Sequence, residues 1–157
     1  MPRVQTKTKI KLGADRKCGR CGEAIEPGQQ YRQWSFRYGG THYRCMRTQC
    51  APRQSDLTQS KMQAVYLAIE DAEDSVGDVE DHEALSSLVE GVADVVREVA
   101  DEYTEAAEPF GGQGENQERA EELEGWADEL ESFYPDGDED LGDVIDDARE
   151  VLGGCPL

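Results

Sequence analysis

The charges of this chain are sorted by position, and that sorting limits its possible folds more than any other feature. Residues 1–54 carry 12 Lys and Arg against 3 Asp and Glu, whereas residues 55–157 carry 4 against 32. The formal charges are +9 and −28, which sum to the −19 of the whole chain. A chain made acidic only for solubility would spread its carboxylates along its length. Segregation predicts two modules, basic over residues 1–54 and acidic over 55–157, whose surfaces face different partners or shield one another. Adaptation to high salt would act on both, so the basic third counts against it, although Lys is scarce at 5 against 11 Arg.

A basic module of about fifty residues lies near the lower limit for an independent apolar core, so a staple is expected there. The cysteines supply one. Cys18, Cys21, Cys45 and Cys50 follow the spacing C-x2-C-x23-C-x4-C, and Cys155 stands alone near the end. Four thiolates form a soft tetrahedral set that suits one structural Zn2+. The short first gap lets a turn present both sulfurs to one ion, with Gly19 and Gly22 relaxing the backbone. His42 offers an alternative: Cys18, Cys21, His42 and Cys45 make C-x2-C-x20-H-x2-C, which resembles the finger of nick-sensing poly(ADP-ribose) polymerases. The competing reading is a redox dithiol. Such a motif opens a helix after an apolar strand, whereas here it precedes the turn-like Glu23-Ala24-Ile25-Glu26-Pro27-Gly28. The cysteine distribution fits a reducing cytoplasm better than a disulfide framework. No apolar run is long enough for a membrane span, and the polar, basic N-terminus does not read as a secretory signal.

Between the cysteine pairs the pattern is that of a hairpin. From Gln30 to Tyr38, Arg32, Trp34, Phe36 and Tyr38 alternate with Tyr31, Gln33, Ser35 and Arg37. Gly39-Gly40 then turns the chain into Thr41-His42-Tyr43-Arg44. Upstream, Val4, Ile10 and Leu12 read as a short strand or an arm. The expected fold of this module is a small α+β zinc finger, a knuckle plus β-hairpin of treble-clef or zinc-ribbon type.

The segment CGRCGEAIEPGQQYRQWSFRYGGTHYRCMRTQCAPRQSDLTQSK resembles a group of small zinc-finger-like proteins encoded by tailed bacteriophages, many of them infecting actinobacteria. The similarity runs from about Cys18 to Phe133. It rests on C-x2-C-G, an Ile-x-Pro-Gly turn, an aromatic hairpin, Arg-Cys, a further Cys and a Ser-x-Leu-Thr-x-Ser-Lys helix entry. The resemblance implies a viral protein in the host cytoplasm with a structural zinc. It favours Cys50 as fourth ligand, and it implies no reaction.

Beyond Ser55 the apolar period is helical, predicting an all-α acidic bundle of about four helices. Leu57, Met62, Val65, Ile69, Ala72 and Val76 predict a helix from about Asp56 to Val76. A second is predicted from about His82 to Ala107 with Asp81 as N-cap. Its Leu85, Leu88, Val92, Val95, Val99 and Ala106 are spaced 3, 4, 3, 4 and 7, a coiled-coil seam interrupted by Glu102 and able to pack inside a monomer or form a homodimer. Pro109 to Gly114 reads as a loop. A third helix, capped by Asn116, carries Ala120, Leu123, Ala127 and Leu130 with Trp126 and Phe133 beside the stripe. Tyr134-Pro135-Asp136-Gly137 is a turn. The last helix runs from about Glu139 to Leu152 with Leu141, Val144, Ile145, Ala148, Val151 and Leu152, and stops at Gly153-Gly154 as at a glycine cap.

Arginines interleaved with aromatics are the footprint of a nucleic-acid reader, and Arg20, Arg32, Trp34, Arg37, Arg44 and Arg47 are its candidate contacts. The competing reading places Trp34, Phe36 and Tyr38 in the finger's own core. The acidic helices are either a solvated face or a surface for a host or phage protein, a carboxylate mimic of DNA being one form of the latter. No G-x-S-x-G, P-loop or H-E-x-x-H motif occurs, and only His42 and His82 offer an imidazole, so a non-enzymatic role is expected. Cys155 reads as a tail cysteine rather than a reactive thiol.

Overall fold

The structure is a computed structural model that describes residues 1–8, 16–135 and 138–156. Lys9, Ile10, Lys11 and Leu12, and the Asp136-Gly137 half of the expected turn, lie outside the described residues. The chain divides into two compact units, Met1–Thr58 and Gln59–Leu157. The division falls at Thr58 rather than at residue 54 because Asp56 belongs to the packing of the first unit: its backbone carbonyl accepts from Trp34 Nε1 at 3.1 Å and its carboxylate from Arg44 at 2.6 Å.

The first unit holds a three-stranded antiparallel sheet in the order β1 (Gln5–Thr8), β2 (Gln30–Ser35), β3 (Thr41–Cys45). The strand expected around Val4 forms, but at Gln5–Thr8, where every residue is exposed; it is held by backbone pairing to β2 and not by burial. The hairpin register sets Tyr31 opposite Cys45, Arg32 opposite Arg44 and Trp34 opposite His42. Because side chains alternate, Tyr31, Tyr43 and Cys45 share one face, and Trp34, His42 and Arg44 share the other. Each face buries one aromatic, Tyr31 and Trp34. Arg16 caps the first, donating to the Tyr31 hydroxyl at 2.7 Å with its guanidinium over the Tyr31 and Tyr43 rings. The 3-10 turn Ser55–Leu57 receives the second. Among the described residues the fully buried apolar side chains of this unit are Cys18, Ile25, Tyr31, Trp34 and Cys50. Two of the five are cysteines, so the apolar core alone is small.

The second unit comprises α1 (Met62–Ser75), α2 (His82–Ala107), α3 (Glu115–Glu131) and α4 (Leu141–Gly153). The helix expected from Asp56 starts at Met62, because Ser55–Leu57 forms a separate 3-10 turn and Thr58 is extended. The expected inner face of α1 is otherwise as read, with Met62, Val65, Ile69 and Ala72 buried. Asp81 caps α2, accepting from the Ala84 amide at 2.8 Å. Its buried residues are Leu85, Val89, Val92, Ala93, Val96, Val99, Ala100, Tyr103 and Ala107. This stripe is wider than the expected seam and drifts from it: Val95 and Ala106 are only half-buried, and Tyr103 takes the position where Glu102 interrupts the heptad. The reason is that α2 packs against α1, α3 and α4, and a helix with several neighbours needs a broad 3.6-period face. The coiled-coil expectation gains no support from it.

The α2–α3 connection needs glycine, since Gly111, Gly112 and Gly114 all have positive φ. Gly114 occupies the N-cap of α3, and Asn116 lies inside the helix and does not cap it. Trp126 is buried within the α3 stripe, not beside it, and donates to the Val151 carbonyl of α4 at 3.2 Å. Asp140 caps α4 through the Gly142 amide. At the other end Gly154 has φ −77°, so the expected left-handed cap is absent; a Cβ there would stand a tight 3.2 Å from the Val151 carbonyl oxygen, and glycine relieves that approach.

Candidate metal centre

The two halves of the centre are built by different local devices. In the first, the backbone of residues 16–25 folds on itself: the Cys18 amide donates to the Glu23 carbonyl at 2.8 Å, Gly22 to Cys18 at 2.9 Å, and Lys17 bridges Ala24. Gly22 adopts φ +74°, which a side-chain-bearing residue rarely does. Gly19 does not use that freedom. The space its Cβ would need is filled by the Arg44 guanidinium, while its amide donates to the Tyr43 carbonyl at 2.9 Å. In the second half, Cys45 ends β3 and Cys50 sits in the 3-10 turn Thr48–Cys50.

The four sulfurs of Cys18, Cys21, Cys45 and Cys50 lie within 4.8 Å of one another, and those of Cys21 and Cys45 are 3.9 Å apart. Thiolates held tetrahedrally at the usual Zn–S length of roughly 2.3 Å would be roughly 3.8 Å apart. A disulfide needs about 2.05 Å, and all five cysteines are free. The donors present therefore fit one thiophilic ion. Cys18 and Cys50 are buried, and Cys21 opens to solvent.

The electrostatics differ between the halves. Burial pushes the Cys18 thiol up, but the amides of Cys21, Cys45 and Arg20 and the Cys21 thiol pull it down further, to about 6. Cys50 is pushed up to about 12, first by burial and then by the neighbouring cysteines. Hydrogen bonds thus favour ionisation at Cys18, whereas burial and the neighbouring cysteines oppose it at Cys50, and a bound cation would favour the thiolate form of both.

His42 is not part of the cluster. It lies on the opposite sheet face from Cys45, stacked on Trp34 with ring centroids 5.3 Å apart. An i, i+3 histidine and cysteine in an extended strand point to opposite faces, which is why C-x20-H-x2-C does not close.

The candidate nucleic-acid residues separate into two groups. Trp34 is 2% exposed and its indole nitrogen is bonded to Asp56, so it is core and not a stacking platform. Arg44 lies over Trp34 and is ion-paired with Asp56 at 2.6 Å, with side-chain exposures of 11% and 21%. Arg32 donates to the carbonyls of Cys45 at 2.9 Å and Arg47 at 3.2 Å, holding the second cysteine loop. These three are taken up internally because a small unit with few apolar residues uses arginine stems and carbonyl bonds as packing. Arg47 is surface-exposed but paired with Glu23 at 2.8 Å, tying the two cysteine loops together. Arg20 and Arg37 are exposed.

The buttressing roles of Asp56 and Glu23 escape a reading that scans for cations. One signal existed: Asp56 is the one carboxylate between Glu26 and Glu70, and a lone acid among arginines marks an internal partner.

The structure thus defines a small three-stranded antiparallel sheet with a four-cysteine cluster, followed by four helices. No protein-family model, curated protein or solved structure matches the chain. Among the described residues, no helix is long and apolar enough to cross a membrane.

Proposed function

We propose that the chain is a non-enzymatic binding protein in which one structural Zn2+, held by Cys18, Cys21, Cys45 and Cys50, fixes a treble-clef or zinc-ribbon-like module that binds nucleic acid. The observation that carries the reading is the closed set of four sulfurs. It fills the ion's coordination shell and leaves no position for water or substrate, so the metal supplies rigidity and not Lewis-acid chemistry. The phosphate contacts come from exposed cations, Arg3, Lys7, Lys17, Arg20 and Arg37, with Arg47 available when it leaves Glu23. Local carboxylates are few, and from Pro27 to Ser55 there is none. The likeness to zinc-finger-like phage proteins supports a viral setting in a host cytoplasm.

Two measurements test this together. Elemental analysis is expected to find one zinc per chain. Residues 1–58, loaded with zinc and shown to be folded by dispersed amide resonances, are expected to bind DNA or RNA with an affinity that falls steeply with salt. Absence of binding at low salt overturns the nucleic-acid reading.

A second reading makes the acidic unit the working surface for a basic protein. It is favoured by the charge imbalance of residues 55–157, which carry 32 Asp and Glu against 4 Lys and Arg; of these cations Lys61 pairs with Glu102, Arg97 with Asp128 and Glu131, and Arg149 with Asp146. Competition between residues 59–157 and duplex DNA for a DNA-groove-binding host protein would support it.

A further inference from the structure

We infer that the tip of the β2–β3 hairpin is a stacking site for unpaired nucleobases, so that the nucleic acid taken by the basic unit is single-stranded. The inference rests on the nucleic-acid reading above and narrows it to one substrate class. Tyr38 stands at the tip with 89% of its surface exposed, and the Arg37 guanidinium lies 5.3 Å from its ring centroid. A flat π-surface with a cation beside it is what a base and its phosphate require.

Behind the tip the hairpin carries an aromatic row of Trp34, His42 and Phe36. Trp34 is its buried anchor, held by the bond to Asp56. His42 stacks on Trp34 at 12° between ring planes, and Phe36 meets His42 edge-on with centroids 5.7 Å apart. The row therefore runs from core to solvent across a hairpin whose base carries Cys45, so the metal centre braces it. Two hydroxyls, Ser35 Oγ and Thr41 Oγ1, pair at 2.9 Å at the exposed strand ends. Gly40 has no positive φ, and open space lies where its Cβ would stand. Neither conformation nor packing demands glycine there, and its smallness leaves the backbone open to close approach.

The geometry favours single strands over duplex for two reasons. Base π-faces are hidden in a duplex and open in a single strand. A duplex groove would instead have to be tracked by several free cations, and on this hairpin Arg32 and Arg44 are held internally, which leaves Arg37.

The test uses the full zinc-loaded chain at low salt. Fluorescence anisotropy compares one mixed sequence as single-stranded DNA, single-stranded RNA and duplex, with polyglutamate as an anionic polymer without bases. The single strands are expected to bind at least about tenfold tighter than the duplex. Tyr38→Ala is expected to lose about tenfold of single-strand affinity with its salt slope unchanged, and Tyr38→Phe to retain it. Arg37→Ala is expected to lower both affinity and the salt slope, the latter by about one. Zinc content and melting temperature of the Tyr38 variants should match the parent, because the ring packs against no core residue. Equal binding by Tyr38→Ala, equal affinity for duplex, or equal affinity for polyglutamate overturns the stacking site while leaving a basic binding unit standing. If no nucleic acid binds at all, the proposed function itself fails.

Discussion

The two units hold themselves together by different means. Residues 59–157 bury a continuous cluster that runs from Met62 through Val96 and Leu123 to Leu152. Each fully buried Val or Leu contributes about 1.5–3 kcal/mol, enough to fold helices whose outer faces repel one another. Among the described residues of 1–58 there is no such cluster; the buried apolar set is two aromatics, Ile25 and two of the clustered cysteines. Polar devices take its place: Arg16 on Tyr31, Arg32 on the carbonyls of the cysteine loop, Arg44 on Asp56, Glu23 on Arg47. The comparison teaches that a cation in a small metal-site module is not by default a ligand-binding group, since half of its arginines can be scaffold.

Cys21→Ser, or chelation of the wild type, should break the comparison most visibly. Structural zinc contributes on the order of 10 kcal/mol, so the first unit should unfold and the near-UV signal of Trp34 should vanish while far-UV helicity persists. A parallel collapse of helicity would show that the units are not independent. The converse variant is Leu123→Ala, at a fully buried site of α3. It should cost about 2–5 kcal/mol, lowering the thermal midpoint of the helical signal with zinc content unchanged.

A smaller effect is expected from Asp56→Asn, which leaves Arg44 half-buried without its counter-charge. The expected loss is about 1–3 kcal/mol from the first unit alone, read as a lower melting temperature of the Trp34 fluorescence transition. If instead stability holds and nucleic-acid affinity rises, Arg44 is a masked phosphate contact and the division into scaffold and surface arginines must be redrawn.

The smallest effect lies in acid. Hydrogen bonding from Arg97, then its charge, holds the Glu131 carboxyl below the usual carboxylate range. A depressed folded-state value contributes stability above the unfolded value, and that stability is lost as pH falls through the folded one. Glu131→Gln should therefore slightly lower helical stability at neutral pH and leave it unchanged in strong acid. Both groups are surface-exposed, so the difference is a small shift in a pH titration of the melting temperature.

Much of this could be read before any coordinates. The hairpin, the limits of α2 and its Asp81 cap, and the four clustered cysteines, with His42 as the rival to Cys50, all follow from local rules of alternation, capping and short-range spacing. The strand read as far as Tyr38 instead ends at Ser35, and the turn is Phe36–Gly39, closed by the Gly39 amide on the Phe36 carbonyl, rather than Gly39-Gly40. What escaped reading depended on neighbours. The start of α1 moved because Asp56 is claimed by Trp34 and Arg44, which lie far away in sequence. The α2 stripe broadened because α2 faces three helices and not one.

The sequence by itself determined that there are two modules of opposite charge, that one carries clustered metal-type ligands, and that the other is helical, because charge, cysteine spacing and period are properties of the chain taken a few residues at a time. Only the tertiary structure decided between His42 and Cys50, and between arginines that face solvent and those that hold the scaffold. Strand register sets which sheet face a side chain occupies, and a side chain's availability depends on what packs over that face.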